Sequence, residues 1–153
     1  MPKVLWKVDA DAHDYPAAAS YLALLVQPAA IDGILERLRA GDIVHYKAKD
    51  ILRAADLPLL PKTNTHVASD LGKIRRKVKL SPVLLVRGDA ASGTPLQIAD
   101  GYHRVCASYH TAENTDIPCR IADVSAPRTR PSPRSRAATP RRPSARRAAS
   151  SPE

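Results

Sequence analysis

The chain passes from strand to helix within one short segment, Leu96-Gln97-Ile98-Ala99-Asp100-Gly101-Tyr102-His103-Arg104. The apolar run that precedes the glycine is typical of a strand, and the residues that follow it have helical character as far as about Tyr109. The first N–H groups of a helix have no intrahelical partners and lie at the positive end of the helix dipole. The junction therefore predicts an exposed corner that attracts anions.

Apolar runs on both sides of this corner predict a small sheet. Residues 82–86 form a continuous run rich in branched side chains, which indicates a strand buried on both faces. Residues 88–93 supply a turn, so that residues 95–100 return as the second strand of a hairpin. Residues 117–122 alternate as a last strand, and Pro118 favours an edge position for it.

Helical patterns precede the sheet. The two short helices expected between residues 15 and 38 place Tyr21, Leu24 and Leu25 on one face of the first, and Ile31, Ile34, Leu35 and Leu38 on one face of the second. A short strand at 42–45, a helix at 47–55 and a helix from about 67 to 78 follow. The last of these carries Val67, Leu71, Ile74 and Val78 at spacings of four, three and four. Together these patterns predict an α+β fold in which residues 1–41 are an N-terminal helical extension packing on a core of residues 42–124.

The last part of the chain differs sharply in composition. Residues 125–153 are mostly Arg, Pro, Ser, Ala and Thr without an apolar face, which predicts a disordered basic tail. Eight arginines against Glu153 give the segment from residue 126 a charge of +7, so only +2 of the formal +9 belongs to residues 1–125. The tail suits non-specific contact with nucleic-acid phosphates or serves as a solubilising extension. The charge of the folded part by itself does not indicate nucleic-acid binding.

The cysteines and the apolar segments indicate the cellular compartment of the protein. Cys106 and Cys119 fall in a predicted helix and a predicted strand, with no pattern that suggests a disulfide framework. No segment is long and apolar enough for a signal peptide or a membrane span. We expect a cytoplasmic protein without a membrane partner, and the oligomeric state stays open.

The run from Leu80 to Ile121 resembles the ParB/sulfiredoxin superfamily, which includes the ParB N-terminal domain and the ParB-like nuclease domain. The shared features are the strand at 81–86, the strand ending at Asp100-Gly101 with Tyr102-His103-Arg104 after it, and the closing strand with Ile117-Pro118-Cys119-Arg120. The resemblance covers roughly residues 60 to 122. It implies a small mixed sheet with packed helices, and it equates residues 62–66 with a ligand-contacting loop.

Three departures from the family pattern narrow the function that the resemblance implies. Sulfiredoxins carry a reactive cysteine where this chain has Tyr102, and Cys106 lies one turn further along on a face that the helix is expected to bury. Nucleotide-binding ParB proteins have an acidic residue and two arginines in the turn, whereas here only Arg104 is present and His103 replaces the other. The helix-turn-helix region of partition proteins is missing.

The resemblance and the helix-terminus argument together predict a nucleotide- or phosphate-binding module associated with DNA. The candidate phosphate-binding residues are Gly101, Tyr102, His103, Arg104, Lys62, Asn64 and His66. The candidate cofactor is a nucleotide, ATP or CTP, with Mg²⁺. One alternative is a nuclease or small-molecule phosphotransferase in which His103 and Asp100 serve as acid and base. Another is an interaction domain without a ligand.

Two further patterns each have more than one interpretation. His103, Cys106 and His110 could share one helical face, but no fourth ligand accompanies them, and we predict no metal site. The segment from Lys73 to Lys79 is strongly basic, which is typical of a solvated helix face and also suits attraction of nucleotide or nucleic acid.

Overall fold

The structure is a computed structural model that describes residues 3–126. In that range the chain forms five helices and a four-stranded mixed sheet, which confirms the predicted α+β class. The elements in chain order are α1 (Asp14–Leu22), α2 (Pro28–Ala40), β1 (Val44–Lys47), α3 (Ala48–Ala55), α4 (Thr65–Arg75), β2 (Val83–Val86), β3 (Gln97–Asp100), α5 (Tyr102–Thr111) and β4 (Asp116–Ala122).

The strand order is β1-β4-β2-β3. The hairpin strands β2 and β3 are antiparallel, β4 runs parallel to β2, and β1 closes the other edge antiparallel to β4. The register between β2 and β3 shifts at Ala99, because Leu84 lies opposite Asp100 and Leu85 lies opposite Ile98. Such a bulge bends a strand and redirects the side chain after it. It stands directly before the strand-to-helix corner.

Helices cover both faces of the sheet. Leu84 and Val86 of β2 pack with α1 and α2, whereas Val83 and Leu85 face α3, α4 and α5. Because side chains alternate along a strand, this central strand is apolar at every position. The corner lies where the end of β3, the start of β2 and the start of α5 meet.

The prediction that β4 is an edge strand is wrong. β4 lies between β1 and β2, and its Pro118 is opposite His45 of β1. The parallel ladder with β2 begins only at Cys119, so Pro118 precedes that ladder. A proline without an N–H is tolerated at such a position even though the strand is central over most of its length.

Two predicted helix faces are also corrected. The residues of α1 that face the core are Tyr15, Ala18 and Leu22, while Leu24 and Leu25 follow the end of the helix and are exposed. In α4, Val67 and Ile74 are buried as predicted, but the helix ends at Arg75 and Val78 lies beyond it, exposed.

No helix of residues 3–126 is long and apolar enough to cross a membrane. The predicted tail lies outside the described residues from residue 127 onward.

Candidate functional site

The corner begins at Gly101, whose backbone is left-handed with φ 113° and ψ 15°. A Cβ atom there would lie 2.5 Å from Cγ1 of Val83 and 2.9 Å from Nη2 of Arg104. The backbone can therefore pass this close to β2 only without a side chain. A left-handed residue followed by a right-handed turn directs successive N–H groups toward one side, an arrangement that binds anions.

Helix α5 starts at Tyr102 without a side-chain cap, and its Val105 N–H is the first to bond back, to Gly101 O. The neighbouring helix α4 differs, because Asn64 Oδ1 accepts from the N–H groups of His66 and Val67. Among residues 3–126, α1, α2 and α3 also start without a side-chain cap, so the feature that distinguishes α5 is the left-handed glycine before its first turn.

Arg104 is held inside this corner. Its Nη2 donates to Asp100 Oδ2 at 3.0 Å and to the Pro82 carbonyl at 3.3 Å, and it lies 3.9 Å from Asp14 Oδ2. Only 16% of the side chain is exposed. Its Nε is buried, and no group in the described part of the chain accepts from it. The guanidinium therefore supports the turn from within and is not free to meet an anion outside.

Asp14 is a member of this cluster that sequence reasoning missed. It is buried at the first position of α1, and its Oδ2 accepts from Ser81 Oγ at 2.8 Å and from the Asp11 N–H at 3.1 Å. Its only sequence signal is an acidic residue in the first turn of a helix, which is common. Two carboxylates, Asp14 and Asp100, consequently share one guanidinium. Burial raises the pKa of Asp100, and Arg104 opposes that rise.

Two histidines meet at the outer side of the corner. His103 lies in the first turn of α5 and His66 in the first turn of α4, and their ring centroids are 4.7 Å apart. Tyr102 stacks beside His103 with its centroid 5.8 Å away. Burial lowers the pKa of His103, and nearby His66 lowers it further. The lowered pKa favours the neutral form of His103, whereas a bound anion would favour the charged form.

The remaining predicted residues divide into two groups. Tyr102 and His66 lie at the corner, and the Tyr102 hydroxyl donates to the Pro58 carbonyl. Asn64 acts as the helix cap of α4. Lys62 is exposed and makes no hydrogen bond or salt bridge within residues 3–126. The structure thus unites five of the seven candidates around the start of α5.

The side chains considered as metal ligands do not assemble. His110 Nε2 donates to the Leu60 carbonyl at 2.7 Å, and Cys106 is fully buried. Within the described residues, one group of three metal-type ligands, Asp11, His13 and Asp14, has atoms within 4.8 Å of one another. Asp14 is already engaged by Ser81 and Asp11, and the Arg104 guanidinium lies beside it. This donor set fits Mg²⁺ poorly, since Mg²⁺ needs free oxygen ligands in octahedral geometry.

Both cysteines are buried and free. Burial raises the pKa of Cys106, and it raises the pKa of Cys119 to about 12. We expect neither thiol of the native protein to react with an aromatic disulfide reagent at pH 8 while both react after denaturation, because the thiolate is the reactive form. Absorbance of the released thiolate measures this. Rapid release of one equivalent from native protein would contradict it and would return Cys106 to consideration as a nucleophile.

A separate cavity of about 410 Å³ lies between α3 and the loop at 87–94, lined by Ile51, Leu85 and Leu96 among others. It is mostly apolar and does not include the corner.

No protein-family model matches the chain, and comparison with curated proteins and with solved structures likewise gives no match.

Proposed function

We propose that the protein is a nucleotide- or phosphate-binding module of ParB/sulfiredoxin-like type, with the anion held at the Asp100–Arg104 corner. The uncapped first turn of α5, which starts from a left-handed glycine, is the observation that carries this proposal. The proposed ligand is ATP or CTP, in a cytoplasmic protein associated with DNA. Mg²⁺ would arrive on the phosphates of the nucleotide, since the carboxylates at the corner are already engaged.

Each residue has a defined role in this proposal. The N–H groups of Tyr102, His103 and Arg104 contact the phosphate oxygens, and Gly101 allows the close approach of the backbone. The Arg104 side chain positions the turn through Asp100 and does not contact the ligand. His103 supplies positive charge when it is protonated, and His66 lies beside it. Lys62 contributes from the facing loop that Asn64 anchors to α4.

The charges at the corner make this binding dependent on pH. The carboxylates of Asp14 and Asp100 share the single guanidinium of Arg104, so that guanidinium gives an incoming anion little attraction at neutral pH. A bound anion favours protonated His103, whose pKa burial holds below its ordinary value. Affinity for an anion should therefore rise as the pH falls through and below about 6.5, the ordinary value for histidine.

Sulfate is a suitable probe, because it keeps its double charge across the pH range in which histidine titrates. We expect sulfate to bind more tightly at about pH 5.5 than at pH 8, with the amide NMR signals of residues 102–104 shifting on binding. His103→Gln should flatten this pH dependence. His45→Gln, at an exposed position in β1, is the matched control and should leave it unchanged. Shifts confined to other residues would overturn the proposal.

Titration calorimetry with ATP, CTP and inorganic phosphate then separates the functional classes. A nuclease or phosphotransferase is the second candidate, favoured by the lowered pKa of His103, which keeps its ring available as a proton acceptor at pH 7. Asp100 is a weaker candidate base because Arg104 already holds its carboxylate. Turnover that His103→Gln abolishes would favour the enzyme. If none of these ligands binds, an interaction domain without a ligand is the function that remains.

A further inference from the structure

Four exposed cations follow one another at the C-terminal end of α4: Arg75, Arg76, Lys77 and Lys79, here called the basic ridge. None of the four forms a salt bridge with any residue from 3 to 126. Lys73, by contrast, lies 3.8 Å from Asp70. The body of the protein is close to neutral, so these cations are concentrated in one place and left without counter-charges.

The two arginines of the ridge converge on Gly72. Arg76 Nη1 lies 3.1 Å and Arg75 Nη2 lies 3.9 Å from the point where a Cβ of Gly72 would be. Two guanidinium groups are thereby brought near each other over a stretch of helix that has no side chain. A phosphate oxygen that meets both guanidinium groups would accept charge-assisted hydrogen bonds from them.

Lys77 occupies a position that favours glycine. Its φ is +62°, and it closes α4 with two bonds, Lys77 N–H to Ile74 O and Val78 N–H to Lys73 O. This pairing is the Schellman motif, in which the left-handed residue is most often glycine. A lysine here carries backbone strain that glycine would avoid. A strained residue that brings a charge to a charged surface points to a use for that charge.

A purely stabilising role accounts for only part of the ridge. Cations in the last turn of a helix interact favourably with its dipole, which applies to Arg75. That effect falls off within one turn, and Lys79 lies outside the helix. The ridge is also distinct from the anion corner, because the 11 residues of α4 separate the two ends by about 16 Å.

We propose that the basic ridge is a contact surface for the phosphate backbone of double-stranded nucleic acid, on the folded body of the protein and separate from both the anion corner and the arginine-rich tail. Residues 72–80 include no aromatic side chain on which an unpaired base could stack, so a duplex suits the ridge better than a single strand. A single exposed apolar side chain, Val78, stands among the cations, which is little for insertion into a membrane.

The test uses the full chain and a fluorescein-labelled duplex of about 20 base pairs, with binding followed by anisotropy over a series of salt concentrations. The ridge variant carries Arg75→Gln, Arg76→Gln, Lys77→Gln and Lys79→Gln. The matched control removes the same charge from scattered exposed sites with Lys3→Gln, Lys47→Gln, Arg53→Gln and Arg87→Gln. Circular dichroism is used to check that both variants fold.

We expect the ridge variant to bind the duplex at least tenfold more weakly at about 0.1 M salt, with the slope of log affinity against log salt smaller by about 3 to 4. The control variant should lose much less affinity for the duplex. Equal losses in the two variants, or an unchanged ridge variant, would overturn the proposal, since tail or net charge would then account for binding. Sulfate binding at the anion corner, followed by the amide NMR signals of residues 102–104, should be unchanged in the ridge variant, so failure of the anion corner and failure of the ridge are distinguishable.

Two additional experiments identify the partner and test the contribution of Lys77 by itself. The affinity of the ridge variant is measured with a DNA duplex and with an RNA duplex. The proposal requires weaker binding to at least one of them. Ridge-dependent binding to vesicles rich in phosphatidylserine, without duplex binding, would overturn the proposal in favour of a membrane. The single variant Lys77→Gly should raise the melting temperature and weaken duplex binding together. A melting temperature that rises without any loss of duplex affinity would remove Lys77 from the contact surface.

Discussion

Gly101→Ala is expected to lower the free energy of unfolding by about 2–5 kcal/mol. Two costs combine in this substitution. The left-handed backbone, with φ +113°, strains any L side chain, and the new Cβ would stand 2.5 Å from Val83 Cγ1 in the core. Chemical denaturation monitored by circular dichroism measures the loss.

Gly93 provides the matched control for this prediction. Its φ is also positive, at +78°, but a Cβ there meets nothing within 4 Å. Gly93→Ala should therefore show only the backbone cost, about 1 kcal/mol. Adding Val83→Ala to Gly101→Ala should give a double variant that is less destabilised than the sum of the single variants, because the clash is removed. Equal losses at Gly93 and Gly101 would mean that β2 does not approach Gly101 as closely as described.

Arg104→Met is expected to destabilise the protein by about 3–5 kcal/mol, because it leaves the carboxylates of Asp14 and Asp100 in the interior without their shared counter-charge. Arg87→Met is the control. The Arg87–Asp123 pair has a similar N–O distance, 2.8 Å, but both side chains are more than half exposed. Its loss should cost less than about 1 kcal/mol. Asp100→Asn in the Arg104→Met background should restore part of the stability.

The loss of stability in Arg104→Met should depend on pH in one definite direction. Removing Arg104 raises the pKa of Asp100 further above its unfolded value, since burial then acts unopposed. A raised carboxyl pKa contributes stability that is complete below the unfolded value and is lost as the pH rises through the folded value. The deficit of Arg104→Met relative to the wild type should accordingly be smallest below about pH 4 and grow toward neutral pH. A deficit that grew in acid would contradict the buried ion pair.

The structural role of Arg104 determines which residue should be changed to test the anion site. The sequence places Arg104 among the candidate phosphate-binding residues. Its position beneath Gly101 means that Arg104→Ala would disturb the turn itself, so loss of binding in that variant would say little about ligand contact. His103 lies on the outer side of the corner, and its side chain makes no hydrogen bond within residues 3–126, which makes it the cleaner position to change.

Much of the fold was predictable because it follows from local patterns. The apolar run of β2, the glycine before α5 and the spacing of Ile34, Leu35 and Leu38 in α2 each act through neighbouring residues. Backbone geometry, side-chain alternation and the cost of placing a side chain at a left-handed position need no knowledge of distant contacts. The uncapped start of α5 likewise follows from a local pattern, the glycine between an apolar run and a helix.

The strand order and the partners of Arg104 could not be predicted in this way. Pro118 alone favours an edge, yet the pairing of β4 with two neighbours depends on which apolar faces the whole chain must bury. Asp14 lies 90 positions from Arg104 in the sequence, and any of the scattered carboxylates could have met the guanidinium.

The sequence by itself therefore determined an α+β chain with a strand-to-helix corner at Gly101, because hydrophobic periodicity and glycine's conformational freedom are local properties. Only the tertiary structure decided what that corner presents to solvent. By bringing α1 against the end of β3, it places Asp14 and Asp100 around Arg104 and pairs His66 with His103. The net charge of a site depends on which distant groups meet there, and that is set by the packing of the elements.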